Sequence, residues 1–342
     1  MCFYKYCLDV SIKRNFSLGN HNSFGVEHTA NFFIEIKNKD QIIDIISDKK
    51  YDKVDKLILG GGSNILFTKD YNGIVFLNKI KGIRKINEDD NSILLRVGSG
   101  ENWDDFVEFC VKKNYYGLEN LSLIPGSVGA APIQNIGAYG VEVKTLIENV
   151  EGVFLDNGIE KKFNNKSCEF QYRDSIFKGK LKNKFFITSV DFVLSKQKLF
   201  NISYRDLKHL NVKNISLNSL RNEIIKIRNS KLPDPRDLGN AGSFFKNPLV
   251  DRKMIDKIKN NFNDLIYFKD GEKFKIPAAW LIEKCGWKGY KEKNIGVSDK
   301  HALVIVNYNA KKGIEIRELS NKIIDDVKEK FNIKLIPEVN II

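Results

Sequence analysis

Between Leu123 and Val143 the sequence runs Leu-Ile-Pro-Gly-Ser-Val-Gly-Ala-Ala-Pro-Ile-Gln-Asn-Ile-Gly-Ala-Tyr-Gly-Val-Glu-Val, and its four glycines, three alanines and two prolines leave no amphipathic period. A stretch this poor in side chains lets a flat, extended ligand lie against backbone, so it reads as one wall of a cofactor groove; a tightly packed irregular connection is the plainer alternative. A second run points the same way. The apolar strand Leu57-Ile58-Leu59 leads into Gly60-Gly61-Gly62-Ser63-Asn64 and then into Ile65-Leu66-Phe67. Three successive glycines expose consecutive backbone N–H groups, which can form an anion-binding nest for a pyrophosphate. The run lacks the Gly-Lys-Ser/Thr ending of a Walker A loop and the Gly-x-Gly-x-x-Gly spacing of a Rossmann turn. A hairpin turn is its ordinary alternative.

At 342 residues the chain exceeds what one core supports, so two or three domains around a shared site are expected. Hydrophobic residues at 42% and charged residues at 29% describe a soluble globular protein, and no run of about 18 apolar residues could span a bilayer. Lys5, Asp9, Lys13 and Arg14 interrupt the start before it reaches signal-peptide length, which makes the cytoplasm the expected location. Five cysteines without a Cys-x-x-Cys pair and four histidines without a His-x-x-x-His pair suggest neither a disulfide framework nor a metal centre. The net charge of +13 raises the question of nucleic acid. Its lysines are spread among Asn and Ile with acidic residues interleaved, and no nucleic-acid-binding motif is present, so the charge reads as a mild pull on an anionic small substrate.

Hydrophobic patterning predicts strands at Phe32–Ile36, Gly73–Leu77, Ser92–Val97, Val150–Leu155, Phe185–Leu194 and Ala302–Val306. It predicts helices at Asp40–Ile46, Trp103–Lys113, Leu217–Arg228, Met254–Phe262, Ala278–Cys285 and Gly313–Phe331. Two prolines in Lys231-Leu-Pro-Asp-Pro235 mark a boundary, and Tyr267–Lys275 reads as a polar loop. Three places carry candidate chemistry. Gly239-Asn-Ala-Gly-Ser-Phe-Phe-Lys-Asn-Pro248 offers a hydroxyl, a cation and an amide at Ser243, Lys246 and Asn247, with Phe244 and Phe245 suited to the core; a tight turn is the alternative. Arg173 lies among aromatics, where a buried guanidinium needs a carboxylate from substrate or protein, Asp174 and Glu169 being the local choices. Glu338 is a lone carboxylate in an apolar C-terminal segment read as a strand, where solvent exposure is its plain alternative.

Six motifs in order, Gly60-Gly-Gly-Ser-Asn64, Ile124-Pro-Gly-Ser-Val-Gly129, Gln134-Asn-Ile-Gly-Ala-Tyr-Gly140, Tyr172-Arg-Asp-Ser175, the decapeptide at Gly239 and Pro337-Glu-Val339, resemble the UDP-N-acetylenolpyruvoylglucosamine reductase family, in its longer form with a tyrosine loop. The likeness runs from about residue 20 to the end and is poorest over Met1 to about Arg14, which reads as an extension. The resemblance implies an α+β fold of three domains. Residues 1–80, joined by a C-terminal strand at 332–342, and residues 81–232 would hold FAD in the manner of the vanillyl-alcohol-oxidase flavoproteins; residues 233–331 would bind substrate. It implies FAD contacts from Gly60, Gly61, Gly62, Ser63, Asn64, Gly126, Ser127, Gly129, Ala130, Ile136 and Gly137.

The reaction implied is NADPH-dependent reduction of the enolpyruvyl ether of UDP-N-acetylglucosamine to UDP-N-acetylmuramate, for peptidoglycan, by a monomer with no membrane or nucleic-acid partner. Hydride would come from the reduced flavin, and the proton from Ser243 as general acid. Arg173 and Glu338 would hold the charge developing on the substrate carboxylate. Tyr172, Tyr204, Lys231, Asn247, Tyr267 and His301 match positions that bind the nucleotide-sugar. A flavin oxidase or dehydrogenase with a different substrate, or a nucleotide-sugar binder without turnover, would share many of these features.

Overall fold

The computed structural model describes residues 11–342, so Cys2, Cys7 and most of the N-terminal extension fall outside the described residues. The chain divides into two compact units. The first comprises Ala30–Gly61, Asn72–Arg228 and the described residues before 17; the second comprises Ser17–Thr29, Gly62–Tyr71 and Asn229–Ile342. The division falls between Gly61 and Gly62, inside the glycine triplet.

The first unit holds two large sheets and a small two-stranded one, Gly137–Ala138 against Val141–Glu142. In the four-stranded sheet the order is Lys13–Ser17, Thr29–Ile36, Tyr71–Asn78, Asp55–Leu59, and the last two strands run parallel with Leu57 beside Val75. Helix α1 (Lys39–Ser47) lays Ile42 and Ile45 against this sheet, and its first turn is closed by the Asn38 side chain accepting the Gln41 N–H at 3.0 Å. The five-stranded antiparallel sheet has the order Glu160–Asn164, Ile147–Phe154, Phe185–Ser195, Ser92–Gly98, Ile83–Glu88. Helix α2 (Trp103–Lys112) covers it, with the Phe106 and Phe192 rings 5.0 Å apart. The two outer strands, Ile83–Glu88 and Glu160–Asn164, escape the sequence pattern. Each is an edge with at most one buried side chain, so no alternation marks it. Helix α3 (Leu217–Lys231) closes the unit, burying Leu217, Leu220 and Ile224.

The second unit is built on an antiparallel sheet of order Gly239–Ser243, Val304–Asn307, Ile295–Val297, Lys291–Glu292. Helices α4 (Arg252–Lys259), α5 (Ala278–Lys284) and α6 (Gly313–Phe331) complete it. The stripe Ile316, Leu319, Ile323, Val327 on α6 is fully buried, as its spacing requires. Two expectations change here. Tyr267–Lys275 is not a loop: Phe268–Asp270 and Lys273–Lys275 form a hairpin around Gly271 at φ +60°, joined by Leu249–Val250 in a third strand. Leu335–Val339 is not a strand either; Pro337 makes one isolated bridge to Phe245, and the terminal strand is the two residues Asn340–Ile341, parallel to Ile65–Leu66. Proline has no N–H to extend a ladder. The fold is thus mixed α and β, as expected, and no helix among the described residues is long and apolar enough to cross a membrane.

Candidate active site

In the second unit the first half of the decapeptide, Gly239–Ser243, forms an edge strand, not a turn. Ser243 stands opposite Val304, and the register slips between Asn240 and Ser243. The slip has a local cause: Asn240 turns its Oδ1 to the Gly242 N–H at 2.9 Å, and Gly242 takes φ +67°, so the backbone bulges there and leaves Ser243 exposed. Phe244 and Phe245 are buried at 0% and 1% exposure, which fixes the chain on the far side of the bulge.

The same strip is sewn to the C-terminal segment. The Glu338 N–H donates to the Phe244 carbonyl at 2.7 Å and the Lys246 N–H to the Ile336 carbonyl at 2.9 Å. Asn64, from the polar end of the glycine run, donates its Nδ2 to the Glu338 carbonyl at 3.4 Å, and its own carbonyl accepts the Asn340 N–H at 3.1 Å. Ser243, Glu338 and Asn64, far apart in sequence, therefore belong to one hydrogen-bonded patch of the second unit. Glu338 is half-buried.

Lys231 and His301 also come together in this unit. His301 Nδ1 accepts the Leu303 N–H at 3.2 Å. Burial, and then the neighbouring Lys231 and Lys288 ammonium groups, push the imidazole below its usual range and favour its neutral form. Lys288, in Gly286-Trp-Lys-Gly289, was not among the sequence candidates; only the fold shows that it joins a cationic neighbourhood. Asn247 has a structural duty: its Oδ1 accepts the Ala278 N–H at 2.8 Å and starts α5, where the preceding Pro277 has no side chain able to cap. Tyr267 packs its ring edge-on to Phe274 at 5.7 Å, with the Lys259 ammonium 5.1 Å from its centre.

The first unit carries the remaining candidates. The Gly60–Gly61 and Gly126–Ala130 segments touch backbone to backbone. A Cβ on Gly60 would lie 2.4 Å from Ser127 Oγ, one on Gly61 3.0 Å from Gly126 Cα, and one on Gly129 2.6 Å from Ser99 Cβ. Side chains are excluded, and the N–H groups of Gly61, Gly126 and Ser127 take no protein acceptor among the described residues. Adjacent free donors on a side-chain-free surface suit the phosphates of a dinucleotide, so these residues fit FAD. Gly62 follows in the second unit at φ +67°, where a Cβ would meet the His21 carbonyl at 2.1 Å.

Arg173 sits at the tip of a tight turn with φ +53°. Its Nη2 donates to the Gly137 carbonyl at 2.5 Å and its Nη1 to the Asn135 carbonyl at 3.3 Å, and its guanidinium carbon lies 5.5 Å from the Tyr172 ring centre. Of the two local carboxylates, Glu169 pairs with Lys180 at 3.1 Å and Asp174 accepts the Ser175 N–H at 2.9 Å. Asn135, which the sequence did not single out, is wholly buried and anchors the arrangement by donating to the Gln171 carbonyl at 2.9 Å and to Glu142 at 3.0 Å. Ile136 lies beside it, 8% exposed. Tyr204 is 44% exposed and meets the Tyr139 ring edge-on at 5.4 Å.

A family model described as an FAD binding domain matches residues 30–159, and one described as the C-terminal domain of UDP-N-acetylenolpyruvoylglucosamine reductase matches residues 234–342. The FAD-binding match and the relatives of the chain define an FAD-dependent oxidoreductase. The chain is 43% identical over 338 residues to the UDP-N-acetylenolpyruvoylglucosamine reductase of Amoebophilus asiaticus, covering 97% of this chain and 100% of that protein. It is 43% identical over 334 residues to the enzyme of the same name from Bacteroides fragilis, with the same coverage. The crystal structure of UDP-N-acetylenolpyruvylglucosamine reductase from Thermus caldophilus shares the fold, with a TM-score of 0.66, 20% identity, and 97% and 98% of the two chains covered. The chain belongs to the UDP-N-acetylenolpyruvoylglucosamine reductase family.

Proposed function

We propose that the enzyme reduces the enolpyruvyl ether of UDP-N-acetylglucosamine to UDP-N-acetylmuramate, with NADPH as reductant, as a cytoplasmic step of peptidoglycan precursor synthesis carried out by a monomer. The observation that carries this reading is the pairing that joins the Ser243 strip to Glu338, since it couples a hydroxyl to a carboxylate on backbone held by two buried phenylalanines.

FAD, held by the Gly60–Asn64 and Gly126–Gly137 segments, supplies hydride when bound and reduced. Ser243 gives its Oγ proton to the substrate carbon that becomes nucleophilic. A hydroxyl parts with a proton only to a strong developing base, which makes the holding of negative charge decisive. Arg173 binds the substrate carboxylate through its guanidinium, and Glu338 polarises the same group. Lys231 and His301, with Tyr172, Tyr204, Asn247 and Tyr267, hold the nucleotide-sugar. We place the boundary between the two FAD-binding subdomains near residue 80, between the two large sheets of the first unit, with the substrate domain following residue 232 and the terminal strand 332–342 returning to the first subdomain.

The test is purified protein with and without Ser243→Ala. Wild type should be yellow, bleach with NADPH, and recover colour on adding the enolpyruvyl substrate. Ser243→Ala should still bleach, with product formation down by about 10²–10⁴. A colourless protein, or a variant with normal turnover, refutes the assignment.

A further inference from the structure

In the first unit, Tyr139 lies in the left-handed region at φ +48°, a conformation a non-glycine residue keeps only when its surroundings impose it. The surroundings are specific. Asn120, completely buried, donates its Nδ2 both to the Tyr139 carbonyl and to the Asn201 carbonyl, each at 2.8 Å. Asn201 answers by donating to the Gly140 carbonyl at 3.1 Å. The segment that ends in Tyr204 is thereby clamped to the Tyr139 turn, and the two tyrosine rings meet edge to face, 82° apart in plane.

Behind Tyr139 stands Arg228. The Tyr139 phenol and the Arg228 guanidinium stabilise each other electrostatically, and the Arg228 Nε is shielded from solvent without an acceptor among the described residues. Asp104 is the nearby carboxylate that offsets the charge. Burying an arginine with one donor unsatisfied is costly, and a hydrocarbon side chain would fill the space more cheaply. Retaining it makes sense if the phenol must be held at one point.

The geometry points to Tyr139 and Arg228 as positioning residues: a buried brace that fixes the ring, and so the hydroxyl, of Tyr204 for the diphosphate of the nucleotide-sugar. This inference rests on the reading of Tyr204 as a diphosphate contact.

The experiment compares Tyr139→Phe, Tyr204→Phe and the double variant as FAD-loaded enzymes. Tyr139→Phe keeps the ring and loses only the phenol that faces the Arg228 charge. Its KM for the enolpyruvyl substrate should rise about 5- to 20-fold with kcat near wild type and the protein still folded, because losing a polar contact to a buried charge is felt on that scale. The double variant should have the KM of Tyr204→Phe alone, since both changes remove one and the same contact. Arg228→Met removes the charge from the other side and should reproduce the rise. A wild-type KM in folded Tyr139→Phe while Tyr204→Phe is impaired, or multiplying effects in the double variant, overturns the brace alone. A wild-type KM in Tyr204→Phe overturns the diphosphate contact and the brace with it.

Discussion

The Glu338 N–H donates to the carbonyl of Phe244, the residue after Ser243, at 2.7 Å. The spacing between the candidate acid and the candidate carboxylate is thus set by backbone pairing rather than by either side chain, and that pairing is only as firm as the packing beneath it.

Phe244 is the residue to change. Its ring is fully buried, 5.1 Å from Phe245 and 6.2 Å from Phe24. Phe244→Ala should cost about 3–5 kcal/mol by urea unfolding. In the fraction that remains folded, turnover should drop because Ser243 and Glu338 lose their common register. A loss below about 1 kcal/mol would mean that the bulge at Gly242 fixes the strip by itself.

Gly61 should behave differently. A Cβ there presses on the Gly126 backbone at 3.0 Å from Cα and 3.4 Å from the carbonyl carbon, and backbone yields less readily than a side chain. Gly61→Ala should widen the gap between the two donor segments and weaken FAD binding by about tenfold or more, while the protein stays folded. Titrating FAD into stripped protein by flavin fluorescence measures this; unchanged affinity would remove Gly61 from the cofactor site.

These cases show what was readable from residues alone. Helix α6 was legible end to end because its apolar stripe is continuous. The edge strands at Ile83 and Glu160 were not, because solvent takes both faces and the alternation disappears. The hairpin after Tyr267 hid for a similar reason, since Phe268 points an aromatic ring outward at 60% exposure. At the site, residues with reactive groups could be named in advance. Those that act by placement could not: Asn135, Lys288 and Arg228 look like any polar residue until the fold brings Arg173, His301 and Tyr139 against them.

Glu119 offers a pH test of the first unit. It is 2% exposed, its Oε2 accepts the Gly117 N–H at 2.6 Å, and burial raises its carboxyl above the usual 4.5. A carboxyl raised on folding adds stability while protonated, below the ordinary value, and loses that contribution as pH climbs through the folded one. Glu119→Gln keeps an acceptor for Gly117 without the charge. It should match wild type near pH 4 and melt higher near pH 8. Equal melting curves at both pH values would show that the charge is already neutralised in the fold.

At the alkaline end the same logic applies to Cys168. Its side chain is completely buried, and burial pushes the thiol from an ordinary 9.0 up to about 12; Cys110, also fully buried, shifts in the same direction. Below the ordinary value the thiol is protonated whether the chain is folded or not, and its packing contribution is intact. Between pH 9 and 12 the unfolded chain can ionise it while the folded chain cannot, so stability falls by about 1.4 kcal/mol per pH unit for this group alone. Lysines and tyrosines titrate in that range too, so the measurement must be a difference. The stability gap between wild type and Cys168→Ala should therefore hold steady below about pH 8.5 and then narrow, by about 1.4 kcal/mol between pH 9.5 and 10.5. Parallel urea-unfolding profiles across that range would mean that the Cys168 thiolate finds water or a cation without unfolding, and that this part of the first unit opens locally.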